Sequence, residues 1–412
     1  MEAFAYSNGE LAAEGVSVAG LAEKYGTPLY VYSRNHFRAR YRALREAMSE
    51  VDPLICYSVK ANSNSAVIRT LAEEGAGVDV VSGGELFRSL SAGVPADRTV
   101  FAGVGKTAEE IRYALENDIL FFTVESEPEA KRISECASKS GTVARIAFRI
   151  NPDVKTGTHK HVTTGKKGTK FGIDVENAEQ AYANARKLPS VEIAGLHMHI
   201  GSQILSPDPF RKALEAVTGL CATLKSEIPS FRYLDIGGGM GIDYRKDETP
   251  LYPGDFAEAV CPLIKQTGLK PVLEPGRFLT ANGGILVCAV QYVKTTPSKT
   301  FLVVDTGMND LIRPALYDAH HEIVPVTETS SAITADVVGP VCETGDFLAL
   351  DRQVPAVEAG ALLSVKGAGA YGFVMASNYN SRPRPAEVMV EDGAARLIRK
   401  RETREDLVRG ER

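Results

Sequence analysis

The chain has 412 residues, 44% hydrophobic and 24% charged, with a net charge of −5. That composition is globular, the length calls for more than one domain, and the mild acidity gives no electrostatic basis for binding nucleic acid or an anionic membrane. No apolar run reaches the roughly 18 residues of a membrane span.

The N-terminal stretch MEAFAYSNGELAAEG is acidic and lacks the charged and apolar regions of a signal peptide. Six scattered cysteines without a C-x-x-C pair read as free thiols of a reducing, cytoplasmic setting. From there the chain alternates. Strands are predicted at Ile55–Val59, Val78–Val81, Thr99–Ala102, Leu120–Val124, Ala144–Ile150, Ile193–His199, Tyr233–Ile236 and Val272–Glu274. Segments with helical spacing of apolar residues separate most of them, such as TAEEIRYALEN (107–117) and VENAEQAYANARKL (175–188). Eight strand–helix repeats predict a (β/α)8 barrel over 36–280. The alternative, a doubly wound sheet, would want a glycine-rich dinucleotide turn after the first strand, and that turn is missing. Beyond about Gly284 the pattern changes to strand-like runs: CAVQYVKTT, TFLVVDT, HEIVPVT, ITADVVGP and AEVMVEDG. They predict a β-sandwich or β-barrel domain over 281–412, with helix confined to the charged C-terminal tail. The first 35 residues, with TPLYVYS, are read as joining that domain. The segment 151–172 holds five lysines, two histidines and four glycines. It reads either as a solvated loop or as a lid over an anionic ligand.

Barrel chemistry sits at the carboxyl ends of the strands. Those ends carry Lys60, then Asp79 with SGGEL, HMHIGSQ (197–203), DIGGGMG (235–241) and EPGR (274–277). Glycines 237–239 let backbone N–H groups approach an anion, and a plain turn is the bland alternative. They miss the dinucleotide spacing, because Ile242 stands at the last glycine position. His197 and His199 share a strand face. No acidic or cysteine ligand is spaced to complete a metal site with them, so no metal is assigned. Glu274, fixed by the Pro275–Gly276 turn, reads as an anchor for a ring nitrogen or as an ion-pair partner of Arg277. A lysine, an imidazole, a phosphate cradle and a fixed carboxylate on one rim together describe pyridoxal phosphate.

YSVKAN, GVDVVSGGEL, HMHIGSQ, LDIGGGMG and EPGR resemble the fold-type III pyridoxal-phosphate decarboxylases, ornithine- and arginine-type enzymes included. DTGMNDLIRPALYDAHH (305–321), GPVCETGDFLA (339–349) and GAYGFVMASNYNSRPRPAEV (369–388) resemble the diaminopimelate decarboxylase branch, and the likeness covers nearly the whole chain. Small departures occur at Thr344, where the family commonly has Ser, and in EPGRFLTANGG. The resemblance implies conversion of meso-diaminopimelate to L-lysine and CO2, with Lys60 holding the cofactor as a Schiff base near Asp79. It implies that His199 stacks on the ring, that Ser202, Gly238, Gly276 and Arg277 bind phosphate, and that Glu274 pairs with the ring nitrogen. Arg277, Arg313 and Tyr317 would hold substrate carboxylates, with Tyr371 between phosphate and substrate. Cys342, as proton donor, and Glu343, reading the distal ammonium, would be supplied across a homodimer interface. A related basic amino-acid decarboxylase is the alternative, but ornithine and arginine have no distal carboxylate for Arg313. A non-catalytic binding protein is the competitor from another class, and the presence of Lys60, Glu274 and Cys342 speaks against it.

Overall fold

The computed structural model describes residues 3–154, 170–245 and 247–411. Most of the lysine-rich segment read above as a loop or lid lies outside the described residues. The chain divides into two compact units: Arg40–Ile242 with Thr249–Phe278, and Met1–Ala39 with Asp243–Glu248 and Leu279–Arg412.

The first unit is a closed parallel barrel. Its strands are β1 (Leu54–Ser58), β2 (Gly77–Val80), β3 (Thr99–Phe101), β4 (Phe121–Val124), β5 (Ala144–Asn151), β6 (Val191–His197), β7 (Tyr233–Asp235) and β8 (Lys270–Leu273). Each pairs with the next, β8 pairs with β1, and β4 with β5, so no edge remains. All eight predicted strands form, with slightly shifted ends, and ring closure excludes the doubly wound alternative. The strands read as short apolar runs because both faces are covered, β2, β3 and β4 being buried at every position. Cys56, Val100, Phe121, Ala147, Ala194 and Val272, from six different strands, form one cluster of the core. The turns from strand to helix are defined by side-chain caps. Asn64, Ser82, Thr107 and Ser126 accept the N–H groups of Ala66, Glu85, Glu110 and Glu129. Each cap satisfies an otherwise orphaned helix donor and ends the preceding loop at a fixed residue, worth about 1 kcal/mol apiece.

The second unit is a β domain. Its main sheet centres on Leu29–Ser33, which pairs antiparallel with the long strand Gly284–Thr295 and parallel with Ala386–Glu391. Leu29–Ser33 is buried throughout. Leu29, Val31, Ile285, Val287, Val388 and Val390 pack in one core with Phe4, Leu11 and Ala13 of a small N-terminal antiparallel sheet. All five strand-like runs quoted above contain strands. Phe347–Pro355, Leu362–Val365 and Ala394–Arg399 add to them. The predicted helical tail is corrected: Ala394–Arg399 is a strand and only Arg404–Leu407 is helical. Charge there reflects a half-exposed edge strand, whose polar face carries no helical period. Among the described residues, no helix is long and apolar enough to cross a membrane.

Candidate active site

The barrel unit gathers the polar residues of its strand ends at one rim. Lys60 lies in a single helical turn, Val59–Ala61, just past β1. Its Nζ is 3.2 Å from Asp79 Oδ2 on β2, and Ser58 Oγ donates to the same oxygen at 2.6 Å. Asp79 is fully buried, whereas the Lys60 side chain keeps 42% of its exposure. The amine is therefore held at its root and reachable from outside. Burial and the charge of Glu274 raise the Asp79 carboxyl, while Lys60 and Ser58 oppose them.

Glu274 follows β8 directly and is buried. Its Oε2 lies 3.2 Å from Nε2 of the equally buried His197 at the end of β6. Burial alone would raise this carboxyl, but His197, through its charge and its hydrogen bond, and then Lys60 outweigh it and hold Glu274 below the usual range. Asp235, from the intervening strand β7, responds in the opposite sense. Burial first and the Glu274 charge second push it well above the usual carboxylate range. The donor atoms of His197, Asp235 and Glu274 lie within 4.8 Å of one another. No acidic ligand was spaced in the sequence to complete a metal site, and the structure sets two acids beside His197 alone. The acids come from neighbouring strands, with Asp235 in register with His197, and sequence spacing cannot show that. A hydrogen bond between the Asp235 and Glu274 side chains adds to the rise of Asp235.

His199 Nδ1 accepts the Gly238 N–H at 3.2 Å. Burial, then the cations Arg149 and Lys60, lower its pKa well below 6.5. A side chain at Gly238 would meet the Glu274 carbonyl oxygen at 2.1 Å, so only glycine brings this backbone so close to β8. Ser202 Oγ accepts from Arg277 Nη2 at 3.1 Å. The rim thus brings together Lys60, Asp79, His199, Gly238 and Glu274, with Ser202 and Arg277 hydrogen-bonded to each other and Gly276 packed 3.1 Å from Ala61 and Ser58 at its Cβ position.

Three rim residues were not foreseen in these roles. His197 was given no role of its own, and it is the partner of Glu274. Arg149, a buried charge inside the apolar run RIAFRIN, binds Glu125 at 3.1 Å and donates to the His199 carbonyl at 3.3 Å. An arginine in the middle of a buried apolar run was the available signal. Glu85 of SGGEL accepts the Val81 N–H at 2.8 Å, and burial holds it up at about 7.

The remaining candidates lie in the β unit. Arg313 is buried at the start of the short helix Arg313–Tyr317, and Tyr317 ends that helix half-buried. Tyr371 is held at φ +56°, a left-handed conformation costly for a bulky side chain and typical of functional positions. Cys342 and Glu343 are exposed in the single chain, and Cys342 is the one exposed member of six free cysteines. Their loop is fixed from below. Buried Asp346 accepts the N–H groups of Met308 and Val341 at 2.6 Å each, and the Cys342 N–H donates to Asn380 Oδ1 at 2.8 Å.

Residues 34–281 match the family described as pyridoxal-dependent decarboxylase, pyridoxal binding domain. A diaminopimelate decarboxylase of Aquifex aeolicus is 50% identical over 404 residues, covering 98% of this chain and 96% of its own. The chain belongs to the diaminopimelate decarboxylase family. Solved structures agree. The diaminopimelate decarboxylase of M. jannaschii in co-complex with L-lysine has TM-score 0.94 and 38% identity, covering 100% of this chain and 98% of its own. That of Helicobacter pylori complexed with L-lysine has TM-score 0.91 and 40% identity, covering 95% and 98%. The diaminopimelate decarboxylase family therefore accounts for the barrel and the β unit together.

His199 titrates below its unfolded value, so the unfolded chain takes up a proton at this position first as pH falls. The contribution of His199 to stability accordingly declines as pH drops through about 6.5. In cofactor-free protein, the His199 ring carbon resonances should stay at neutral positions from pH 8 to about 5.5. A midpoint near 6.5 would show an ordinary, solvated histidine.

Proposed function

We infer that the chain decarboxylates meso-2,6-diaminopimelate to L-lysine and CO2 in lysine biosynthesis, using pyridoxal phosphate. The observation that carries this reading is the pairing, on one rim, of a reachable Lys60 amine with a buried Glu274 held below the usual carboxylate range. The barrel residues fit the cofactor. Lys60 offers a partly exposed amine that an aldehyde would meet, and Glu274, held below the usual carboxylate range, is an anionic partner for a ring N–H. When bound, pyridoxal phosphate supplies an electron sink for the carbanion left by loss of CO2.

The chain's residues then have distinct tasks. Lys60 Nζ would hold the cofactor's aldehyde carbon, and Asp79, 3.2 Å away, positions that amine. Glu274, kept anionic by His197, holds a proton on the ring nitrogen. His199 remains neutral and offers a flat face for stacking. Ser202, Gly238, Gly276 and Arg277 bind phosphate. Arg277, Arg313 and Tyr317 hold the substrate's carboxylates, and Tyr371 stands between phosphate and substrate. The distal end of diaminopimelate carries both charges, so it needs both a cation and an anion. Arg313 takes the carboxylate and Glu343 the ammonium.

Cys342 delivers the proton to carbon, and we assign it with Glu343 to the active site of the partner subunit in a homodimer. Two observations support this. Both side chains are exposed in the protomer, and proton delivery to a carbanion requires water to be excluded. A two-fold contact covers both pockets at once.

A substrate panel tests the activity. Diaminopimelate should yield equimolar L-lysine and CO2, with kcat/KM above that for ornithine, arginine and lysine by roughly two orders of magnitude or more, since those substrates leave a buried polar group unpaired. Preference for ornithine would overturn the reading. The shared site is tested by mixing Lys60→Ala and Cys342→Ala chains, each inactive alone. With free subunit exchange, about half the dimers are mixed and each mixed dimer has one intact pocket, so about a quarter of wild-type activity should return. Verified exchange without recovery would place Cys342 in its own subunit's site.

A further inference from the structure

Arg313 is held by an arrangement confined to the β unit. Its Nη1 lies 2.8 Å from Nε2 of His321, a fully buried histidine. Its guanidinium carbon sits 4.7 Å from the ring centroid of Tyr244. The Tyr244 and His321 rings meet edge to face, with centroids 5.4 Å apart at 72°. His321 Nδ1 is 2.7 Å from the Lys366 carbonyl oxygen, and Arg352 Nη2 donates to the His321 carbonyl at 2.8 Å. The imidazole is thus fixed in its plane, along its length and at its backbone. Space around it is closed: at Gly367, φ +68°, a Cβ would lie 3.1 Å from Tyr244 and 3.7 Å from His321.

The hydrogen-bond chemistry sets the tautomer. A carbonyl only accepts, so Nδ1 carries the proton. Nε2 is then a lone pair, and it takes one N–H of Arg313. A carboxylate in the same place would hold the guanidinium more strongly but would also neutralise it. A neutral imidazole orients the fork and leaves its positive charge undiminished, while the Tyr244 face keeps the guanidinium plane from rotating. This is how a cation would be prepared to receive an anion that arrives from outside.

We propose that His321, together with Tyr244, is a positioning residue that aligns Arg313 to read the distal carboxylate of the substrate. The proposal rests on the role given to Arg313 under the proposed function. A plain core histidine is the competing view, and the two differ in which ligands they affect. Diaminopimelate and L-lysine both carry the distal carboxylate, and cadaverine does not.

In the holoenzyme, His321→Phe keeps a ring but removes the acceptor. KM for diaminopimelate and the inhibition constant of L-lysine should each rise about tenfold, the cost of misaligning one charged hydrogen bond. Inhibition by cadaverine should not change, and kcat should fall less than about threefold. His321→Gln can donate to the Lys366 carbonyl and accept from Arg313, so it should recover to within about threefold of wild type. If His321→Phe does not fold, His321→Asn replaces it, being too short to reach both partners and therefore expected to show the same selective loss. Equal weakening of L-lysine and cadaverine, or no weakening of either, would overturn the proposal and leave His321 as a packing residue. Arg313→Met separates the two levels of the argument. If it selectively weakens L-lysine while the His321 variants do not, only the role of His321 fails. If Arg313→Met leaves L-lysine inhibition intact, the carboxylate-reading role of Arg313 fails and that of His321 fails with it.

Discussion

The hydrogen bond between His197 and Glu274, 3.2 Å long and sealed inside the barrel, decides what the rest of the rim can do. Three buried carboxyls, Asp79, Asp235 and Glu274, influence one another there. All three are buried, so three full negative charges are not sustainable together. His197 breaks the symmetry. It favours the charge on Glu274, and that charge, added to burial, drives Asp235 and Asp79 toward their neutral forms. One carboxylate is thereby kept anionic, which is the condition for keeping a pyridine ring protonated.

Barrel geometry makes this separation of roles possible. His197, Asp235 and Glu274 come from the ends of three successive strands, β6, β7 and β8: parallel pairing sets Asp235 opposite His197, and Glu274 stands two positions past Val272, the residue in register with Asp235. His199, two residues past the end of β6, also lies at the rim. Its Nδ1 contact with the Gly238 N–H shapes the glycine turn beside it. The same logic recurs in the β unit, where neutral His321 orients Arg313 without cancelling its charge. In both units a histidine does not carry out the reaction itself. It sets the position or the ionisation of the charged group that meets the ligand.

The barrel was legible in the sequence because each strand is a short apolar run bounded by turn residues and followed by a helical period. Lys60, Asp79, His199 and Glu274 were legible as strand-end polar residues. The pairing of His197 with Glu274 was not, since 77 positions separate them and only closure of the ring brings them together. Arg149 was visible as an odd charge, but its partners, Glu125 and the His199 carbonyl, lie on other elements. In the β unit, Phe347–Pro355 and Leu362–Val365 lack the alternation that marks a half-buried strand, one twisting from core to surface and the other buried over most of its length. The charged tail was misread because exposed edge strands and surface helices have similar compositions.

The most direct test of this account is Glu274→Gln, with bound pyridoxal phosphate and the rate of CO2 release measured on the same preparation. The amide preserves shape but cannot keep a ring nitrogen protonated. The account predicts near-full cofactor content with turnover lowered by about 2–4 kcal/mol of barrier, or roughly one and a half to three decades. Near-wild-type turnover at full cofactor content would contradict it, and would reduce the His197–Glu274 pair to a structural contact.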